Sequence, residues 1–118
     1  MTTQQPQFDP HEFLQLAAQL SQATTQGELR SAVSRAYYAT FLRAREVLAA
    51  NNSISPTNTG QDHGIVIQAL RSRNRAEGNQ LDRLRVQRGR SDYNLNVSLS
   101  QAEAAQAIQV ARSLWNRL

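Results

Sequence analysis

The sequence contains no cysteine, which excludes disulfide scaffolds, thiolate zinc sites and thiol catalysis. It contains no lysine either, so all 13 basic residues are arginine. Guanidinium forks favour bidentate contact with phosphate, but an arginine bias of the whole genome would produce the same count. With five glycines and three prolines, the chain offers no Gly-rich phosphate loop, and it has no His-x-x-x-His pair and no EF-hand spacing. The two histidines, His11 and His63, lie far apart and neither stands in a carboxylate cluster. No metal centre and no cofactor is expected. No apolar run approaches the ~18 residues that a membrane span needs. Met1–Gln7 has neither a basic start nor an apolar stretch, so no secretory signal is read there. The expectation is a cytoplasmic protein without a membrane partner.

What is present suits one soluble globular domain: 118 residues, 40% hydrophobic and 19% charged. Residues 1–8 are expected as a disordered N-terminal tail and 9–118 as a single helical domain. The formal net charge of +4 is unevenly placed. Residues 71–90 hold Arg71, Arg73, Arg75, Arg83, Arg85, Arg88 and Arg90 against Glu77 and Asp82, a local +5 that leaves the remainder at −1. The basicity belongs to one segment.

Helical periodicity dominates, with no convincing strand alternation. Asp9 as N-cap, Pro10 at the first helical position and Glu12 in a capping box open a helix whose stripe is Phe13, Leu16, Ala17 and Leu20. A longer helix starts near Thr25 with Glu28 three positions on. It carries Leu29, Ala32, Val33, Ala36, Tyr37, Phe41, Ala44, Val47 and Leu48, a stripe long enough for a central position in a bundle. Asn51 to Gln61 reads as a loop. A third helix opens near Asp62 with Ile65, Val66, Ala69 and Leu70, and fades in the Arg-rich stretch ending at Gly78. A fourth runs from about Asn79 through Leu81, Leu84 and Arg88 and stops around Ser91–Asn96. Ser100 and Glu103 box the start of the last helix, whose buried face is Ala104, Ala107, Ile108, Ala111, Leu114, Trp115 and Leu118. The expected fold is all-α: an antiparallel four-helix bundle with a short fifth helix.

Two constellations could carry chemistry. In Leu84 to Asn94, Arg85, Arg88 and Asp92 fall at i, i+3 and i+7 on one helix face. An arginine, a carboxylate and the Tyr93 phenol near a helix end could bind and polarise a phosphodiester; equally, Arg88 and Asp92 could form an i,i+4 ion pair while Tyr93 plugs the bundle end. Gly89, unfavourable in a helix interior, marks either a close approach of backbone or ligand, or a helix already ending. The second constellation is Ser34-Arg35-Ala36-Tyr37-Tyr38-Ala39-Thr40-Phe41. Its small residues admit neighbouring helices, and Tyr37 and Phe41 fill the core. Arg35 and Tyr38 need partners, a buried acid for the first and a site for the second being the functional alternative to plain packing.

At these residues the sequence resembles the HEPN superfamily, specifically the small stand-alone prokaryotic proteins often encoded beside minimal nucleotidyltransferases. The resemblance rests on three signatures in order. These are Ser34-Arg35-Ala36-Tyr37-Tyr38-Ala39, then His63 opening the next helix, then Arg88-x-x-Ser91-Asp92-Tyr93, similar to an Arg-x-x-Ala-Asp-Tyr motif with Ser for Ala. It spans about residues 12–117. The resemblance implies a HEPN-like bundle that forms a homodimer and brings two Arg-bearing motifs together across a cleft. It also implies metal-independent endoribonuclease activity, with the arginine stabilising phosphate charge. The histidine that usually follows that arginine is replaced here by Asp92, Tyr93 and Asn94, and His63 is read as a helix-start or core residue.

The resulting expectation is an endoribonuclease toxin of a toxin–antitoxin or defence system. Arg88 stabilises the pentavalent phosphate, Asp92 or Tyr93 manages protons, and Arg83, Arg85 and Arg90 hold the RNA backbone. Its partners would be RNA and a minimal nucleotidyltransferase antitoxin. The alternative is a non-catalytic module that docks a nucleotidyltransferase, a nucleotide or RNA.

Overall fold

A computed structural model describes residues 7–118. Among them are five α-helices and no strand: α1 (His11–Leu20), α2 (Gln26–Ala50), α3 (Asp62–Arg73), α4 (Arg75–Tyr93) and α5 (Gln101–Arg117). The body measures 47 × 26 × 24 Å. None of the described helices is long and apolar enough to cross a membrane. Most of the tail expected over residues 1–8 falls outside the described residues; inside them, the Phe8 ring lies 4.7 Å from that of Phe13.

The starts of α2, α4 and α5 are set by a capping side chain; α1 has Pro10 rather than the expected Asp9 at its N-cap position, and Asp9 stands one residue before it. Asp9 Oδ1 accepts from the His11 amide at 2.9 Å, Thr25 Oγ1 from the Glu28 amide at 3.3 Å, and Ser100 Oγ from the Glu103 amide at 3.1 Å. Each partners an amide that the helix cannot. The fourth helix departs from the sequence expectation. It begins at Arg75 rather than Asn79, because Asn74 Oδ1 accepts from the Glu77 amide at 3.1 Å. Gly78 therefore lies inside α4, where the chain passes against α3, and ends nothing.

Helix α2 is central: it packs against all four other helices. Its buried residues are Leu29, Ala32, Val33, Ser34, Ala36, Tyr37, Ala39, Thr40, Phe41, Ala44 and Leu48. The small ones among them let neighbouring helices come close, while Tyr37, Phe41 and the leucines supply apolar area at about 1.5–3 kcal/mol per fully buried large side chain. The α1 stripe is rotated from the expected one. Leu14 and Ala17 face the core and Leu16 is 40% exposed, because α1 contacts α2 and, more narrowly, α5.

Candidate functional site

The loop between α2 and α3 decides where His63 goes. Asp62, buried at the start of α3, accepts from the Thr57 amide (2.8 Å), the Thr57 hydroxyl (2.7 Å) and the Asn58 amide (3.0 Å), and Arg45 lies 3.6 Å from it. The Thr57 hydroxyl and amide hold its carboxyl below the usual carboxylate range, against the opposing effect of burial. With the loop folded onto Asp62, the next residue enters the aromatic cluster of α2. The His63 ring stacks on Phe41 at 4.4 Å and on Tyr37 at 5.6 Å, and meets Tyr38 edge-on at 6.1 Å. Its Nδ1 is hydrogen-bonded to the Tyr37 hydroxyl at 2.5 Å.

Arg88 of α4 closes the same cluster from the other side. Its guanidinium carbon stands 5.7 Å from the Tyr37 ring, 5.6 Å from Tyr38 and 5.7 Å from Tyr93. Asp92 Oδ2, one turn on, is 3.5 Å from Arg88 and accepts from the buried Ser34 hydroxyl at 3.2 Å. The carboxylate thus ties α4 to α2 and faces the cation. The charge of Arg88 is met by one carboxylate contact and three π faces, and its buried Nε has no hydrogen-bond partner. A guanidinium held largely by rings keeps an attraction for an added anion that one saturated by carboxylates would lose.

Electrostatics follow from this packing. Burial, reinforced by the guanidinium groups of Arg88 and Arg85, holds His63 below its ordinary value. The imidazole is therefore neutral at pH 7. Burial pushes the Tyr37 phenol up, with Arg85 and Arg88 pulling the other way, so the hydroxyl keeps its proton. A pH dependence of stability follows. As pH drops below about 6.5 the unfolded chain protonates its histidine before the folded one does. The unfolded state then binds more protons, and stability falls. Urea midpoints between pH 7.5 and 5.5 are expected to decline in the wild type and to decline less in His63→Gln.

The structure brings together Arg88, Asp92, Tyr93 and Arg85, with Ser34, Tyr37 and Tyr38 of α2. It separates Arg83 and Arg90 from them. Arg90 lies about 200° round the helix from Arg88 and pairs with Glu103 of α5 at 3.1 Å, while Arg83 is exposed on the Arg90 side of the helix. Arg85 pairs with Asp82 at 3.0 Å. Among the described residues no acid pairs with Arg35; it lies over the Phe13 and Tyr38 rings at 4.7 and 5.2 Å. His63, expected as a helix-start or core residue, is the second residue of α3 and packs in the same aromatic cluster that Arg88 meets. Its position follows from its place immediately after Asp62, whose buried carboxylate holds the preceding loop, a link that spacing along one helix does not reveal. Among the described residues, no three His, Asp or Glu side chains gather closely enough to hold a metal ion.

No protein-family model matches the chain, and no curated protein is significantly similar to it.

Proposed function

We propose that the protein is a metal-independent endoribonuclease, a HEPN-like four-helix bundle with an additional short helix that works as a homodimer in a toxin–antitoxin or defence system. The observation that supports this most is the convergence of Arg88 on the rings of buried Tyr37 and of Tyr38 and Tyr93, with a neutral histidine packed against the first two. In this reading the Arg88 guanidinium binds the scissile phosphate and stabilises charge building on its oxygens. Tyr38 and Tyr93 offer faces on which RNA bases stack. With Nδ1–H of His63 donating to the Tyr37 hydroxyl oxygen, the Nε2 lone pair takes the proton of the attacking 2′-hydroxyl. The new bond joins O2′ to phosphorus, the bond to the 5′-oxygen breaks, and the Tyr93 phenol supplies that oxygen's proton. His63 thereby takes the role of the histidine missing after Arg88. Asp92, bound by Ser34 and facing Arg88, positions the guanidinium.

Purified wild type is expected to cleave RNA in EDTA. Arg88→Ala should lose about 10²–10³-fold and His63→Gln a comparable factor, while Asp92→Asn should lose far less; sedimentation and circular dichroism check that each variant keeps its fold and assembly. Intact RNA after incubation with clean wild type would overturn the nuclease assignment. It would favour the second reading, a non-catalytic module that docks a nucleotidyltransferase, a nucleotide or RNA. That reading is supported by the exposure of Tyr93, whose ring lies 5.7 Å from the Arg88 guanidinium, and of Leu95 two residues on, at 76 and 85%.

A further inference from the structure

We infer that the cleft between the start of α1 and the end of α5 is a binding site for a planar aromatic anion, independent of the Arg88 cluster. The cleft encloses about 300 Å³ and is lined by His11, Leu14, Gln15, Arg112, Trp115 and Asn116. That volume is at the lower end of small-molecule pockets. Its wall is the indole of Trp115, the only tryptophan in the chain. The His11 ring stands 5.4 Å from the indole at 56°, so the two rings flank the space and do not close it by stacking. Arg43, which does not line the cleft, lies over the indole at 5.2 Å.

Charge selects the ligand class. No carboxylate lines the cleft, and neither Arg112 nor Arg43 forms an ion pair among the described residues. Arg43 also has a buried Nε without a hydrogen-bond partner. A cation against the indole polarises its π cloud and favours an electron-rich ring on the free part of its surface. Arg112 at the rim offers a planar fork for a carboxylate, and the amides of Gln15 and Asn116 can donate to its remaining lone pairs. An apolar ring alone would use the indole and Leu14 but none of these donors. A cation would meet two like charges.

The single indole N–H gives one resonance that reports this cleft directly. In the full-length ¹⁵N-labelled protein, 2-naphthoate is expected to displace that resonance saturably. The neutral isostere 2-naphthamide should bind about tenfold more weakly or worse, as should naphthoate to Arg112→Gln. Arg112 is exposed, so this variant keeps the fold. An indole resonance that does not move with 2-naphthoate would overturn the assignment. Equal binding of the amide, or undiminished binding by Arg112→Gln, would do the same, because the cleft would then be an apolar crevice without anion selectivity.

Discussion

Replacing Arg30 by methionine is expected to destabilise the protein by about 2–3 kcal/mol and to disorder the end of α4. Arg30, on α2, donates from Nη1 to the carbonyls of Ser91 and Asn94, both at 3.0 Å, and from Nη2 to that of Val97 at 2.5 Å. Carbonyls at a helix C-terminus have no intrahelical donor, and a cation there also complements the helix dipole. One guanidinium therefore fixes both the last turn of α4 and the irregular segment that follows. Methionine keeps the apolar stem and leaves three carbonyls to water, of which those of Ser91 and Val97 belong to part-buried bonds. Lysine should recover only part of the loss, since a point charge cannot reach three separate acceptors as a fork does. Urea denaturation measures the first effect. Amide exchange across residues 94–99 measures the second, and it should accelerate selectively in Arg30→Met. Asp92 and Tyr93 sit in the turn that Arg30 anchors, so the RNA cleavage proposed above should fall as well, with Arg88 itself unsubstituted.

Two glycines of the same helix should respond to alanine in opposite directions. A Cβ on Gly78 would lie 2.3 Å from Arg71 Cγ, 2.7 Å from the Arg71 nitrogen and 2.8 Å from its Cα. The side-chain atom could turn away; the backbone atoms move only if α3 moves. The side chain is also held, with Nε bonded to Asn79 at 3.0 Å and Nη2 to Asp82 at 3.1 Å. Gly78→Ala is thus expected to cost about 1–3 kcal/mol through overpacking, enough to lower the urea midpoint clearly. A Cβ on Gly89 would meet nothing within 4 Å, so Gly89→Ala should gain roughly 0.5–1 kcal/mol from helix propensity. An unchanged or raised midpoint for Gly78→Ala would mean that the α3–α4 contact is softer than these distances imply. If Gly89→Ala stabilises the fold but weakens the RNA cleavage proposed above, the open space at Gly89 would be where that proposed substrate lies.

The contrast between these glycines shows where local pattern stops being informative. Both look alike in sequence, lone glycines in an Arg-rich stretch with weak apolar periodicity. Their difference is a property of α3, which crosses one and not the other. The same stretch hid the start of α4, because Asn74 caps the Glu77 amide at a place where the apolar pattern is thin. Where the stripe is strong, as in α2 and α5, the expected and observed buried residues nearly coincide; Val47, Trp115 and Leu118 are half-buried at the ends of those stripes.

For the candidate site, the Arg85–Arg88–Asp92 face was legible because residues three and four apart on a helix must share a side. Grouping Arg83 and Arg90 with them was a grouping by charge, which the helical turn undoes. The role of Asp92 needed Ser34, fifty-eight residues away, and the neutrality of His63 needed the rings of α2 and the two guanidinium groups of α4 around it.

The sequence by itself determined that this chain is helical, where most of its helices start, and which stripe of α2 is buried. Those outcomes follow from capping chemistry and 3.6-residue periodicity, which act over a few residues. Only the tertiary structure decided that His63 stacks on Phe41 and Tyr37, that Arg88 faces three tyrosines, and that Arg30 anchors the end of α4. Each depends on how separate helices pack, and packing is settled by the shapes of whole faces and by a few long-range hydrogen bonds rather than by any local pattern.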